Sequence, residues 1–169
     1  MCKGWTFQKD TFAILAIGDA CEMSRTKVGK AILTFAIAAF PTGGVLADWN
    51  KTHLFNPAWH PHAKYHGLSM LLIVICVSAI AIWLLWRRSL ESEVGIRVAA
   101  LISLTLWTPF LYAVHLLPGA SLWVGDPATP VPYPEVAGIT LYPQVVLAAV
   151  FLMLTAGGYG LTRLGNAET

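Results

Sequence analysis

One stretch of the chain, residues 48–66, concentrates the side chains that could transfer protons or bind a polar ligand. Its sequence is DWNKTHLFNPAWHPHAKYH, and it contains four of the five histidines of the chain. Long apolar runs flank it on both sides. Because polar groups are costly to bury without partners, groups at this density must be solvated, paired or functional. We therefore predict that this stretch is the functional centre of the protein.

Two histidines of this stretch, His62 and His66, are four residues apart, which places them on one face of a helix. Pro61 suits the first turn of that helix, and Asp48 ends the preceding apolar run. Imidazole and carboxylate groups are effective general acids and bases. We predict that Asp48, His62 and His66 converge as catalytic groups, with His53 as a fourth catalytic residue. A plainer interpretation is an interfacial histidine pair and a helix-capping carboxylate.

A second set of side chains is predicted to bind the substrate and to position the catalytic groups. The asparagines of the stretch would position those groups, and the tryptophans could stack on a ligand or stabilise a cation. Tryptophan also anchors helices at the membrane interface, which is the alternative interpretation. The predicted substrate-binding residues are Trp49, Asn50, Asn56, Trp59, Trp107, Tyr112, His115 and Gln144.

The same histidines could bind a metal or a haem. His62, His66 and Asp48 could bind zinc, or iron with open positions, and His66 with His115 could hold a haem between two helices. The chain lacks the dense histidine clusters of membrane di-iron enzymes, and its three cysteines are scattered without C-x-x-C spacing. We therefore predict no metal ligands and no cofactor, with a metal or haem protein kept as an alternative.

The composition places this stretch in a membrane protein. Of the 169 residues, 56% are hydrophobic and only 12% are charged, against about 25% charged residues in soluble domains. The net charge of +2, without a basic stripe, argues against nucleic-acid binding. Four apolar segments, at about 28–47, 67–86, 98–117 and 139–161, are long enough to cross a bilayer. We predict an all-α, four-helix membrane bundle over residues 25–169, with residues 1–24 as an interfacial or disordered extension.

The positions of lysine and arginine predict the orientation of the bundle. Only Lys51 and Lys64 flank the spans on the side of the histidine-rich stretch. The basic residues that flank the spans on the other side are Arg25, Lys27, Lys30, Arg87, Arg88, Arg97 and Arg163. The positive-inside rule therefore places both termini in the cytoplasm and all five histidines outside the cell or in the lumen. We expect a multi-pass protein of the endoplasmic reticulum in a eukaryote, or of the inner membrane in a bacterium.

The proline-rich connection at residues 118–138 falls on the same side as the histidines and is predicted to be a stiff, extended lid or loop.

The motif Asp48-Trp49-Asn50-x-Thr52-His53-x-x-Asn56-Pro57-x-Trp59-x-Pro61-His62-Ala63-Lys64-x-His66 resembles the signature of a small four-span membrane family of unknown function. Span count and orientation are similar, more distantly, to the EXPERA group, which includes the sterol isomerase emopamil-binding protein. That resemblance implies double-bond migration by protonation and deprotonation inside a lipophilic cavity. The emopamil-binding type uses histidine and glutamates within its spans. Here only Asp48, His62, His66 and His115 could take those roles.

Three functions follow from these observations. The first is an integral-membrane acid/base enzyme whose substrate is a terpenoid, sterol or polyketide. It would isomerise or cyclise this substrate, or open an epoxide on it. The second is a non-catalytic lipid- or sterol-binding membrane protein, and the third is the metal or haem protein. The expected partners are the lipid bilayer and a small lipophilic substrate, with no nucleic acid, and a homodimer is left open.

Overall fold

The computed structural model describes residues 7–122 and 133–165, with side chains described at residues 25–122 and 133–164. Five helices occur in this part of the chain: α1 (Phe7–Asp48), α2 (Pro61–Trp86), α3 (Ser92–Trp107), α4 (Pro109–Tyr112) and α5 (Pro143–Gly165). A 3-10 turn, Ala113–His115, follows α4. Two short antiparallel strands, β1 (Glu135–Val136) and β2 (Ile139–Thr140), precede α5.

Four segments are long and apolar enough to cross a membrane: Arg25–Asp48, Pro61–Trp86, Ser92–His115 and Pro143–Leu164. The predicted all-α bundle of four spanning helices is thereby confirmed, as is the helix start at Pro61. The fourth span begins at Pro143 and not at Ile139, because Ile139 lies in the β-hairpin. The backbone of residues 7–24 is helical and continuous with α1. A separate, interfacial role for residues 1–24 stays a prediction.

The end of the bundle that carries the arginines, which we call the basic end, is tightly packed. A Cβ atom on Gly29 of α1 would lie 2.6 Å from the carbonyl oxygen of Gly158 of α5, so these two helices touch through their backbones. A core of buried apolar side chains joins α1, α2 and α3 beside this contact; it comprises Leu33, Ile37, Ala81, Leu85, Ile96, Ala99 and Ala100.

Polar contacts tie α3 to α5 along the same half of the bundle. The hydroxyl groups of Ser103 and Thr155, both buried, are 2.7 Å apart and share a hydrogen bond. Glu93 accepts a hydrogen bond from Arg97 at 2.6 Å and forms an ion pair with Arg163 of α5. A bilayer offers no water to buried hydroxyls, so the Ser103–Thr155 bond fixes the register of these two helices.

An aromatic cluster forms the next layer, towards the end of the bundle that carries residues 49–60, which we call the loop end. Trp107 is only 6% exposed, and its ring stacks on Phe151 with centroids 4.3 Å apart. Its indole N–H donates to the carbonyl oxygen of Ala36 at 2.9 Å. Phe40 packs edge-on against Trp107 at 5.0 Å. The indole N–H therefore has a hydrogen-bond acceptor on α1, and the ring is packed rigidly between α1 and α5.

The predicted orientation can be tested by cysteine labelling. A single cysteine at Asn56 should react with an impermeant reagent from outside the cell or from the lumen, because Asn56 lies at the loop end. A cysteine at Ser92, at the basic end, should react only from the cytoplasm. The background must lack the native cysteines, since Cys76 is exposed on α2. Labelling in the reverse pattern would overturn the orientation inferred from Lys and Arg.

Candidate functional site

A cavity of about 470 Å³ opens between the helices at the loop end of the bundle. Most of its lining residues are apolar, and Asp48 and Gln144 are the two with an acidic or an amide side chain. A cavity of this size and lining suits a small lipophilic molecule, with a few polar groups to orient it. The lining residues are Phe40, Gly43, Gly44, Ala47, Asp48, Gly67, Met70, Leu71, Val74, Trp107, Phe110, Gln144 and Leu147.

Two glycines of α1 lie in the cavity lining, and open space surrounds one of them. A Cβ atom on Gly43 would meet nothing within 4 Å, whereas one on Gly44 would lie 3.2 Å from Leu71 of α2. Phe40 and Trp107 belong to the aromatic cluster and close the cavity towards the basic end. The cavity therefore has a rigid aromatic floor and a wall of small residues.

The connection between α1 and α2 folds back over the last residue of α1. The backbone N–H of Leu54 donates to the carbonyl oxygen of Asp48 at 3.1 Å, and that of Phe55 donates to Asn50 at 2.9 Å. The buried side chain of Leu54 packs against Gly67 of α2. This turn is consequently fixed against the mouth of the cavity.

The turn brings His53 to Asp48. His53 Nε2 lies 3.9 Å from Asp48 Oδ1, and the two side chains are 37% and 47% exposed. The separation is within ion-pair range but longer than a hydrogen bond. The ring of Trp59 lies edge-on to His53 with centroids 6.1 Å apart. Asp48, a residue of the cavity lining, thus has an imidazole beside its carboxylate.

Asn50 and Thr52 hold His53 from its other side. The Asn50 amide nitrogen donates to the carbonyl oxygen of Ala47 at 2.5 Å, and its oxygen accepts from the Thr52 N–H at 2.8 Å and from the Thr52 hydroxyl at 2.5 Å. The Thr52 hydroxyl oxygen is 2.9 Å from His53 Nδ1. A continuous chain of polar contacts therefore runs from α1 through the turn to His53.

The other two predicted catalytic histidines form a pair of their own. His62 Nε2 and His66 Nε2 are 2.9 Å apart in a hydrogen bond, and both rings are exposed on the first turns of α2. In the part of the chain with described side chains, no hydrogen bond or ion pair joins this pair to Asp48. The helix period correctly places the two histidines together, but Asp48 pairs with His53 instead.

The model of a family of unknown function, DUF6640, matches residues 31–166. The chain belongs to this family. The matched region contains most of the first span, the other three spans and the whole cavity lining. No curated protein and no solved structure matches the chain.

The predicted substrate-binding residues of this DUF6640 protein divide into two groups. Trp107 and Gln144 line the cavity, and the Gln144 amide nitrogen also donates to the carbonyl oxygen of Leu122. The rest lie outside the lining: the positions in the turn between α1 and α2, and the exposed Tyr112 and His115 near the end of the third span. Those in the turn are Trp49, Asn50, Asn56 and Trp59.

The structure also brings to the site residues that are not among the predicted catalytic or substrate-binding residues. Thr52 contacts His53 directly, and Phe40 and Phe110 line the cavity. The spacing Asn50-x-Thr52 is a recognisable turn signal, because an asparagine side chain commonly accepts from the backbone two residues on. The described side chains include no group of three or more histidine, cysteine or acidic residues arranged to hold a metal ion.

Proposed function

We propose that this DUF6640 protein is an integral-membrane enzyme that performs acid/base chemistry on a small lipophilic molecule. The observation that supports this most is the position of Asp48. Asp48 is one of the residues that line a mostly apolar cavity, and its Oδ1 lies 3.9 Å from His53 Nε2. A titratable group at the wall of an apolar cavity, with a second titratable group beside it, is the arrangement that proton transfer to a lipophilic substrate requires.

Binding would place the apolar body of the substrate on the aromatic floor. Trp107, Phe40 and Phe110 offer a large and rigid apolar surface there, and burial of apolar area against it favours binding. The reactive end of the substrate would then face Asp48 at the mouth. One carboxylate and one orienting amide, Gln144, are enough to distinguish the two ends of such a molecule.

The chemistry would use Asp48 and His53 as one acid/base unit. The unit gives a proton to an alkene carbon or an epoxide oxygen, and it takes a proton back when the product forms. Isomerisation, cyclisation and epoxide opening of a terpenoid, sterol or polyketide all need this exchange. Double-bond migration by proton transfer is also what the distant similarity of span count and orientation to the EXPERA group would imply. The membrane of action would be the endoplasmic reticulum or a bacterial inner membrane.

Non-catalytic binding of a lipid or sterol is the second candidate function. The large apolar share of the cavity lining favours it, because only Asp48 and Gln144 bring charge or an amide to the wall. Both functions require a ligand in the cavity. They differ in whether the Asp48 carboxylate is needed for binding alone or for turnover.

Occupancy of the cavity can be tested by filling it. Gly43→Leu should fill part of the space, since nothing lies within 4 Å of a Cβ atom at this position. We expect the variant to fold and to copurify with at least tenfold less of the lipophilic molecule that the wild-type protein retains, measured by mass spectrometry of extracts.

Gly157→Leu is the matched control. Gly157 is also an exposed helical glycine with open space around it, but it does not line the cavity. Equal retention of the same molecule by the wild-type protein and both variants would show that the cavity is not the binding site.

A further inference from the structure

We propose that Thr52 and Asn50 are positioning residues that fix the tautomer of His53. In this arrangement Nδ1 always carries a proton, and Nε2, the nitrogen that faces Asp48, is the one that gains and loses a proton. The catalytic meaning of this arrangement rests on the proposed function. The tautomer itself is a property of the folded protein and needs no substrate.

The first step is the orientation of the Asn50 side chain. Its amide nitrogen donates to the carbonyl oxygen of Ala47 at 2.5 Å, which only an N–H group can do. Its oxygen therefore points towards Thr52, where it accepts the backbone N–H at 2.8 Å. Two independent contacts agree on which end of the amide is oxygen.

The second step is the direction of the Thr52 hydroxyl. Its oxygen lies 2.5 Å from the Asn50 oxygen, and two oxygen atoms approach this closely only with a proton between them. The amide oxygen has no proton to give, so the hydroxyl of Thr52 donates. The hydroxyl has a single proton, which it donates to Asn50, so it has none to donate to His53.

The third step concerns the ring of His53. Thr52 Oγ1 and His53 Nδ1 are 2.9 Å apart, and the only proton available for this contact belongs to Nδ1. The ring nitrogen must therefore donate to the hydroxyl. The hydrogen bond that one ring nitrogen makes determines which nitrogen of a neutral histidine carries the proton.

The consequence lies at the cavity. Neutral His53 has its lone pair on Nε2, 3.9 Å from Asp48 Oδ1. Nε2 is therefore the ring nitrogen that can take up a proton on the side of Asp48 and give it up again. In an isomerisation this proton moves to one substrate carbon and is replaced by the proton that another carbon releases. Nδ1 takes no part in this proton transfer, because its proton is held in the hydrogen bond to the Thr52 hydroxyl.

The tautomer can be read by nuclear magnetic resonance. The full-length protein would carry nitrogen- and carbon-labelled histidine in lipid nanodiscs, at a pH where His53 is neutral. The His53 signals are assigned by their loss in His53→Gln. We expect Nδ1 of His53 to resonate as a protonated ring nitrogen and Nε2 as an unprotonated one. A dominant Nε2–H tautomer in the wild-type protein would overturn the proposal.

Variants separate this positioning role from a merely structural one. Asn50→Ala removes the acceptor of the Thr52 hydroxyl, which then turns to donate to His53, so the dominant tautomer should shift to Nε2–H. Thr52→Ser keeps the hydroxyl and should keep the Nδ1–H form. Asn56→Ala is the control, because the Asn56 side chain bonds the backbone of Ala58 and Thr52 but not the Thr52 hydroxyl. A shift in Asn56→Ala, or none in Asn50→Ala, would contradict the assignment.

The outcome is independent of the proposed function. The Nδ1–H tautomer in a protein without turnover would uphold the positioning of His53 and reject the enzyme. Turnover with the Nε2–H tautomer would uphold the enzyme and reject the positioning role. If Asn50→Ala does not fold, the wild-type spectrum and the Thr52→Ser spectrum still decide.

Discussion

Replacement of Asp48 by asparagine should lower turnover of the lipophilic substrate by roughly 10²-fold or more, the range for a positioned acid/base group. Asparagine has nearly the same shape as aspartate but cannot exchange a proton. The side chain of Asp48 is 47% exposed at the end of α1 and takes no part in the buried core, so the variant should fold. Turnover would be measured by product formation in nanodiscs, and folding by circular dichroism.

Other histidines of the same region provide the comparison. His66→Ala should have a smaller effect than Asp48→Asn, because His66 bonds to His62 and does not line the cavity. His60→Ala should change turnover little, since its ring accepts the backbone N–H of His62 at the start of α2. Near-normal turnover in Asp48→Asn would refute the catalytic role of this carboxylate. Unchanged binding in Asp48→Asn, with no turnover in the wild-type protein, would favour the non-catalytic ligand-binding function.

A single methyl group at Gly29 should destabilise the bundle by about 1–3 kcal/mol, the usual cost of overpacking a core. In Gly29→Ala the new Cβ atom would lie 2.6 Å from the carbonyl oxygen of Gly158 and 2.7 Å from Cγ2 of Thr162. The first of these is backbone and cannot rotate away, so α1 and α5 must separate. The free energy of unfolding can be measured by denaturant titration in detergent micelles.

Gly157→Ala is the control for this prediction, and its effect should have the opposite sign. Gly157 is exposed, and nothing lies within 4 Å of a Cβ atom there. Alanine is a better helix former than glycine by about 1 kcal/mol, so the free energy of unfolding should stay equal or rise. A Gly29→Ala protein as stable as Gly157→Ala would show that the α1–α5 contact at Gly29 and Gly158 is not tight in the membrane.

The spans could be predicted because hydropathy is a local property. Twenty apolar residues have few alternatives to a spanning helix, and Pro61 marks the start of α2 through its own geometry. The β-hairpin before α5 was not predicted, because strands of two residues have no periodicity to detect. Its turn depends on the left-handed backbone of Ala137 and Gly138.

The site was harder to predict because contacts within it depend on how the chain turns. Helical spacing correctly paired His62 with His66, since both lie on one helix. The partner of Asp48 depends on the fold of the five residues after it, where the amide of Asn50 and the hydroxyl of Thr52 direct the backbone. The cavity depends on the relative positions of several helices, so the sequence alone does not identify Gly43 as a lining residue.

Tight packing at the basic end and the cavity at the loop end divide the molecule into two parts with different tolerance for change. The contact between Gly29 and Gly158 and the core around Leu33 hold the helices together without any residue that lines the cavity. Substitutions at Met70, Val74 or Leu147 can therefore reshape the cavity at little cost to the fold. Since a protein tolerates mutations only while enough stability remains, the lining of the cavity can vary while the packing at the basic end is kept.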